Sequence, residues 1–379
     1  MPAPVVLTLL IGETPAPVPA DVAQAVQDVE VSLSDGGRSG FQVTLQAPKD
    51  TTTTSGYGFV GDPLFQVFNR IIIEISVFGQ TAILIDGIIT HQQLRPGWDP
   101  DGSLFTITGE DLSVLMDLEE RVQQYPNQDE ESIVNTILAR YSQYGITPDV
   151  KAQPLRYTPD KNEYVEVQSG TDLRFLRELA SRFGYVFFVR TGRQRRNNTA
   201  YWGPPVLDKT PQRAISIDLG SETNTAPGAW FEYNALTPTK VFGSVQDRIT
   251  DVVAALKVES PELIQGLSGK PALQSQKKVR NSIVQNSEGR TTAGATAWAQ
   301  GSVDQSVSNV MQVRGKLNTM LYGGVLQRGA TVDLRGGSSS YDGRYYVRKV
   351  VHILSRQDYW QEFVLTRDGL KTTEQKVNV

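Results

Sequence analysis

Few side chains in this 379-residue sequence stand at spacings that could do chemistry, and each arrangement can be held against what its chemistry needs. Gly56-Tyr57-Gly58-Phe59-Val60-Gly61 matches G-x-G-x-x-G. A dinucleotide site needs a strand before that pattern and a helix after it, so that amides at the helix start meet the pyrophosphate. Here a threonine run precedes it and Asp62-Pro63 follows, so residues 51–61 read as a polar, glycine-rich loop. Asp99, Asp101, Ser103 and Glu110 place oxygens at positions 1, 3, 5 and 12 of a calcium loop. The glycine of the sharp turn belongs at position 6, where Leu104 stands, and the flanks read as strands, so a β-turn is the better reading.

His91 and His352 are the two histidines, and neither has carboxylate or thiol neighbours at a metal or triad spacing. Cysteine is absent, which excludes disulfides and thiolate metal sites and suits a reducing compartment. Carboxylate pairs for glycoside hydrolysis come together in space, so spacing neither favours nor excludes them. Arg193-Gln194-Arg195-Arg196-Asn197-Asn198 is a basic polar loop, read as a solvated hairpin tip in preference to a phosphate contact. No catalytic, cofactor-binding or metal-binding residue is assigned, and no cofactor is expected.

Composition bounds the rest. The chain is long enough for two or three domains with cores of their own. The net charge of −4 lacks the bulk basic footprint of a nucleic-acid binder. No apolar run approaches the roughly 20 residues a membrane span needs; Val5 to Ile11 is a strand, with no basic segment before it. With 33 glycines and 20 prolines, the chain reads as β-rich with many turns.

In chain order, residues 12–22 form an extended connector. Val29 to Leu33 and Phe41 to Leu45 are strands about the turn Asp35-Gly36-Gly37. Ile71, Ile73, Ile75 and Val77 share one strand face, with Glu74 and Ser76 on the other. Phe78-Gly79-Gln80 turns the chain into Ala82 to Thr90, and Leu104 to Thr108 follows. Pro126 to Gly145 is a helix with Asp129, Glu130 and Glu131 at its start; Ile133, Val134, Ile137, Leu138, Tyr141 and Tyr144 form its apolar face. Ala214 to Leu219 and Trp230 to Tyr233 are strands, residues 260–292 a long polar excursion, and Thr291 to Ser308 a helix weakened by Gly294 and Gly301. Asn309 to Leu317, Thr331 to Leu334, Tyr346 to Leu354 and Tyr359 to Thr366 close the chain as a meander.

The best-marked stretch is Tyr164 to Arg190, read as strand, helix, strand. Thr171 caps the helix with its hydroxyl, and Asp172 sits where the helix dipole favours a carboxylate. Leu173, Leu176, Ala180 and Phe183 form one stripe, widened by Phe175 and Leu179. Arg174, Arg177, Glu178, Ser181 and Arg182 cover the opposite face, with Glu178 and Arg182 placed as an i,i+4 pair. Gly184 ends the helix in the left-handed conformation, and Tyr185 to Val189 is a buried strand.

This stretch resembles the hub proteins of contractile tails, the phage late control D family and the hub part of VgrG-like proteins. The matching residues are Gln168, Thr171-Asp172, Phe175-Leu176, Leu179-Ala180, with Phe183 on the same stripe, and Gly184-Tyr185-Val186-Phe187. Asp86-Gly87-Ile88, Thr108 to Leu112, Arg328-Gly329, Asp342 to Val347, His352 and Phe363-Val364-Leu365 extend the resemblance over most of residues 70–370.

The resemblance implies an α+β, mostly β fold: two tail-tube-like β-barrel domains with an inserted small α/β domain. The first barrel would span 1–125, completed by strands within 200–240; the insert 126–199; the second barrel 240–379. It implies a homotrimeric ring that adapts a hexameric tail tube to a trimeric spike and lines part of the central channel. The partners it implies are tail-tube, spike and other baseplate proteins, in a phage or phage-like particle assembled in the bacterial cytoplasm, with neither membrane insertion nor specific nucleic-acid binding. A tail-tip cell-wall hydrolase or a nucleic-acid module built on the Arg193 to Arg196 loop are the competing classes. The β pattern stops near Thr366, so the spike is expected to be a separate chain docking at Gly369, Leu370 and Lys371, on a polar tail that orders on contact.

Overall fold

The structure, a computed structural model, describes residues 5–49, 56–98, 102–153, 165–205, 210–247, 249–263, 267–284 and 291–373. The N-terminal part contains β1 (Val5–Gly12), β2 (Ala16–Pro17), α1 (Ala20–Ala25), β3 (Val26–Ser34), β4 (Gly40–Gln46), β5 (Arg70–Val77), β6 (Gln80–Arg95) and β7 (Leu104–Asp111). Then come β8 (Glu120–Tyr125), α2 (Glu130–Ala139), β9 (Ile146–Val150), β10 (Glu166–Thr171), α3 (Asp172–Arg182), β11 (Val186–Thr191) and β12 (Asn198–Gly203). The remainder holds β13 (Gln212–Ser216), β14 (Trp230–Tyr233), β15 (Thr239–Gln246), β16 (Val253–Val258), β17 (Lys270–Pro271), α4 (Ala272–Ser275), β18 (Arg280–Ile283), α5 (Thr292–Val307), β19 (Met311–Asn318), α6 (Thr319–Tyr322), β20 (Thr331–Arg335), β21 (Gly343–Ser355), β22 (Tyr359–Arg367) and β23 (Gly369–Leu370).

The fold is mostly β, as expected. One large sheet runs β14-β19-β22-β21-β3-β4-β7-β6-β5-β1-β2, with β20 and β13 branching from β21. No sheet closes on itself among the described residues. Strand β3 is the joint, because it pairs with β4 on one side and with the far end of β21 on the other. The two halves of the sheet nevertheless pack separate cores. Val31, Val43, Ile71, Ile73 and Ile107 belong to one, and Met311, Val313, Leu334, Val350 and Leu365 to the other.

The β5–β6 hairpin shows how local sequence sets this register. Phe78 and Gly79 both take positive φ, at 49° and 83°, the geometry of a type I′ turn that matches strand twist. Both faces of β5 are buried, so Glu74, on the face opposite Ile71, Ile73 and Ile75, lies inside as well. Residues 12–22 are less extended than expected, since α1 begins at Ala20.

The strands expected to complete the first barrel go elsewhere. β13 pairs with β20 and β14 with β19, in the C-terminal half of the sheet, where their apolar residues find a core. The α/β unit has its own sheets, β8-β10 and β11-β12-β9, and its core includes Tyr125 and Trp202, on either side of the expected 126–199 span. The helix expected over 126–145 is shorter: Asp129 caps it by accepting from the Ser132 amide, and Gly145 at φ 77° ends a separate 3-10 turn that leaves Tyr144 exposed. The polar excursion is folded in its described residues, and β15, β16 and β18 form a small sheet against α5.

Candidate functional site: the polar junction at helix α3

Helix α3 forms as its sequence dictates. The Thr171 hydroxyl accepts from the Arg174 amide, Leu173, Phe175, Leu176, Leu179 and Ala180 are buried, and Gly184 takes φ 68°. Full burial of such apolar side chains contributes about 1.5–3 kcal/mol each, before entropy.

The first turn does more than cap. Asp172 is fully buried and receives both carboxylate bonds from Arg140 at 3.0 Å, the Tyr141 hydroxyl at 2.8 Å and the Gln168 amide at 2.6 Å. Gln168 in turn accepts from the Tyr125 hydroxyl at 2.6 Å, and Thr171 donates to Asp117 at 2.6 Å. Burial first, then the Asp172 carboxylate, push the Tyr141 phenol well above its usual range. A buried carboxylate with this many donors is satisfied, and removing one partner strands a charge in a dry site.

A second set of polar contacts holds the α/β unit to the sheet. Arg70 forks onto Asp86 at 2.6 and 2.7 Å, and Asn198 of β12 donates to the same carboxylate at 2.8 Å. Residues 193–197 form the exposed tip of the β11–β12 hairpin, as expected, and Arg195 from that tip also forks onto buried Glu74 at 2.7 Å twice, a docking contact its composition did not show. Arg328 donates to the carbonyls of Ser34 and Val189 and to the Ser39 hydroxyl, with its guanidinium 4.2 Å from the centre of the Phe188 ring. Arg177, on the face expected to be solvated, donates to the Gly37 carbonyl at 3.0 Å, and Arg182 pairs with buried Glu166 as well as with Glu178. Burial lowers the Arg177 and Arg328 guanidinium pKa values and raises those of the Asp35 and Asp111 carboxyls.

The C-terminal end of α3 meets α5 through two glycines. A Cβ on Gly301 would lie 2.2 Å from the Arg182 carbonyl, and one on Gly184 would lie 3.0 Å from the Gly301 carbonyl. Gly301, which weakens the helix signal of α5, is therefore what lets it approach α3. A cleft of about 330 Å³ opens beside this contact, lined among others by Asp35, Arg177, Tyr185, Tyr346 and Arg348.

The remaining sequence candidates sit apart from this junction. The glycine-rich run 56–61 leads into a single 3-10 turn, Pro63–Phe65, and offers no helix N-terminus to a phosphate. Asp99 and Asp101 lie outside the described residues, and Glu110 pairs with Arg38. His91 is exposed on β6, whereas His352 is sealed between strands, bonded to the Tyr359 hydroxyl at 2.9 Å, its pKa held down to about 3 by burial. Among the described residues no three His, Cys, Asp or Glu side chains are placed to hold a metal.

Gly369 and Leu370 form β23, paired with Lys270 and Pro271, and Lys371 exchanges backbone bonds with Ser340 and Gly269. The expected spike-contact residues are thus engaged within the chain, and Gly369 is buried; residues 374–379 lie outside the described residues. Sequence reasoning marked Gln168, Thr171 and Asp172 but missed Arg140, the partner of Asp172, and the roles of Asn198 and Arg328 in the second set of contacts. The Arg328-Gly329 pair in the tail-hub pattern was the available signal.

No known protein-family profile matches the sequence, and no curated protein sequence matches it. Solved structures do. The tail protein from Neisseria meningitidis aligns with TM-score 0.63 at 13% identity, over 97% of this chain and 98% of its own. The 43 kDa prophage tail protein from Shewanella oneidensis gives 0.65 at 12% identity, over 97% and 100%. An Escherichia coli component of the type VI secretion system, described as structurally similar to the T4 tail proteins gp27 and gp5, gives 0.56 at 13% identity, over 92% and 76%. From end to end, this chain has the fold of those tail proteins.

Proposed function

We propose that the chain is a structural component of a contractile tail or injection system, and specifically its baseplate hub. In this reading three copies form a ring that joins a hexameric tube to a trimeric spike and encloses part of the channel. The observation that carries it is the end-to-end alignment with two tail proteins, over 97% of this chain and 98% and 100% of theirs. The buried ionic junction supports it, because an adaptor must hold its units at fixed angles while force passes through it. Charged pairs taken out of water do this well, since partial separation strands a charge.

The role is geometric, with binding surfaces in place of catalytic groups. Spike contact is assigned to the rim of the β17–β23 pair, where Gly369 and Leu370 meet Pro271 and Lys270, and Lys371 follows, bonded to Gly269 and Ser340. Light scattering of the chain with its spike protein should give three copies per complex; a stable monomer or dimer there would overturn the hub reading. Deleting Lys371 to Val379 should leave the sheets folded and weaken spike capture, and undiminished capture would move the docking surface elsewhere.

A further inference from the structure

The sequence is electrically lopsided along its length. Residues 1–125 carry 16 acidic against 5 basic side chains, whereas residues 240–379 carry 12 against 19. Part of that imbalance is neutralised inside the chain, where Arg348 faces Asp35 and Arg195 faces Glu74. Among the exposed charges left unpaired in the described residues are a basic strip and an acidic strip.

The basic strip runs from β17 to β18: Lys270 is in β17, Lys277 and Lys278 follow α4, and Arg280 begins β18, an edge strand of the small sheet β16-β15-β18. Lys270, Lys277, Lys278 and Arg280 are exposed within eleven residues, and none takes part in an ion pair among the described residues. Among the described residues strand β18 pairs only with β15, which leaves its other edge unpaired by them. The outward face beside it is apolar: Ile283 is 77% and Val253 66% exposed, and Phe242, half-buried, shares their side of the sheet. The acidic strip belongs to α1 and β3. Asp21, Asp28 and Glu30 are exposed and likewise unpaired, with Asp28 and Glu30 on the outer face of β3, opposite Thr44 and Gln42. The neighbouring Arg356 is spent on the carbonyls of Gln24 and Val26.

We infer that these strips are the two halves of one interface between copies of this chain, β18 and its apolar face on one copy meeting α1 and β3 of the next. The partner is a second copy because the chain itself carries both the unneutralised cations and the complementary anions. A contact between two different patches is heterologous and propagates head to tail, which closes into a ring when the rotation allows. The contact is made on the face of β3, because both its edges are already paired with β4 and β21, and the opposite charges of the two strips give it specificity. This inference rests on the hub reading and adds the surface through which copies would recognise each other.

The test uses the full chain in two differently tagged versions, co-purified and sized by light scattering from low to high salt. Wild-type copies should associate at 50 mM salt and separate at 500 mM, because exposed charges are screened over a shorter distance as ionic strength rises. Lys277→Glu/Lys278→Glu/Arg280→Glu should weaken association tenfold or more, as should Asp28→Lys/Glu30→Lys. Mixing the two reversed versions should restore it, an outcome that misfolding would not give. A wild-type chain that stays monomeric at every salt, reversals without effect, or failure of the reversed pair to re-associate would each overturn the inference. Retention of DNA by the basic strip without self-association would do so too, and would assign the strip to nucleic acid. Failure of the hub reading is distinguishable, since it would abolish capture of tail-tube and spike proteins regardless of these charges.

Discussion

The α/β unit and the small 240–284 unit both depart from the main sheet, and they are built on opposite principles. The first buries charged and polar groups: Asp172 and Glu166 are buried at α3 and paired with Arg140 and Arg182, and the Gln168 amide between them accepts from Tyr125. The second buries an apolar face on α5, through Val241, Val245 and Leu256 against Ala299, Val303 and Val307, and leaves its other face and its cations to solvent. A unit tied down by ion pairs holds an angle, whereas a unit with an open, unpaired surface is arranged to meet something. That contrast assigns rigidity to one and contact to the other.

The largest expected effect breaks the contrast at its centre. Leu176→Asp places an unpaired charge among fully buried neighbours and should cost more than about 4 kcal/mol. Val253→Asp, at a strand position 66% exposed, should stay within about 0.5 kcal/mol. Urea denaturation of the two variants checks both; similar midpoints would mean that the two units are not differently sealed.

What was legible follows the same division. Helix α3 and strand β14 match their expected bounds closely, because caps and apolar periodicity are local signals. Helix α5 also matches its expected span, Thr291 to Ser308, despite Gly294 and Gly301. The ionic junction was not legible, since Arg195 and Glu74 are 121 residues apart, Asn198 and Asp86 112, and spacing says nothing of such pairs. Strands β15 and β16 escaped because Gly243, Ser244 and Ala255 dilute the alternation of a strand whose outer face is exposed. Strand β8 escaped because its outward residues, Glu120, Val122 and Gln124, read as loop.

Acid should separate the sealed regions from the open ones. His352 is buried where β21 meets β3, with its pKa held down to about 3, against about 6.5 for an unfolded chain. Between those values the unfolded state binds more protons, so stability falls as pH drops through that window, by at most about 1.4 kcal/mol per unit. Buried Asp35 and Asp111 act in the other direction. Their raised carboxyl pKa values let the folded state take up protons first, so acidification through that range adds stability. His352→Gln removes the histidine contribution alone. Its loss between pH 6.5 and 4.5 should be about 2–3 kcal/mol smaller than that of the wild type. Parallel pH profiles for the two proteins would mean that the imidazole is not sealed.

The contact between the helices gives a smaller effect. Gly301→Ala gains up to about 1 kcal/mol of helix propensity but drives a methyl group into the Arg182 carbonyl. Overpacking of that kind costs about 1–3 kcal/mol, so against the full propensity gain the net change should be a loss of up to about 2 kcal/mol. A net gain in thermal stability would show that α3 and α5 are not in close contact.

The smallest effect is expected in the open unit, at Asp247. One of its carboxylate oxygens accepts from the Ile249 and Thr250 amides, the other from the amide and hydroxyl of Thr292 at the start of α5. These bonds, the Thr292 amide foremost, hold the carboxyl well below the usual carboxylate range. A depressed carboxylate contributes stability that is complete above its unfolded pKa, about 3.9, and is lost as pH falls through the folded value. Asp247→Asn should therefore weaken the protein slightly at pH 7, less than Gly301→Ala does, and the gap should close only well below pH 4. The sealed histidine starts to act more than two pH units higher. If the Asp247→Asn gap closed already near pH 6, Asp247 would not be held by the Thr292 amide, and the 240–284 unit would be joined to its helix by its apolar contacts and the Thr239–Ser306 bonds without this carboxylate.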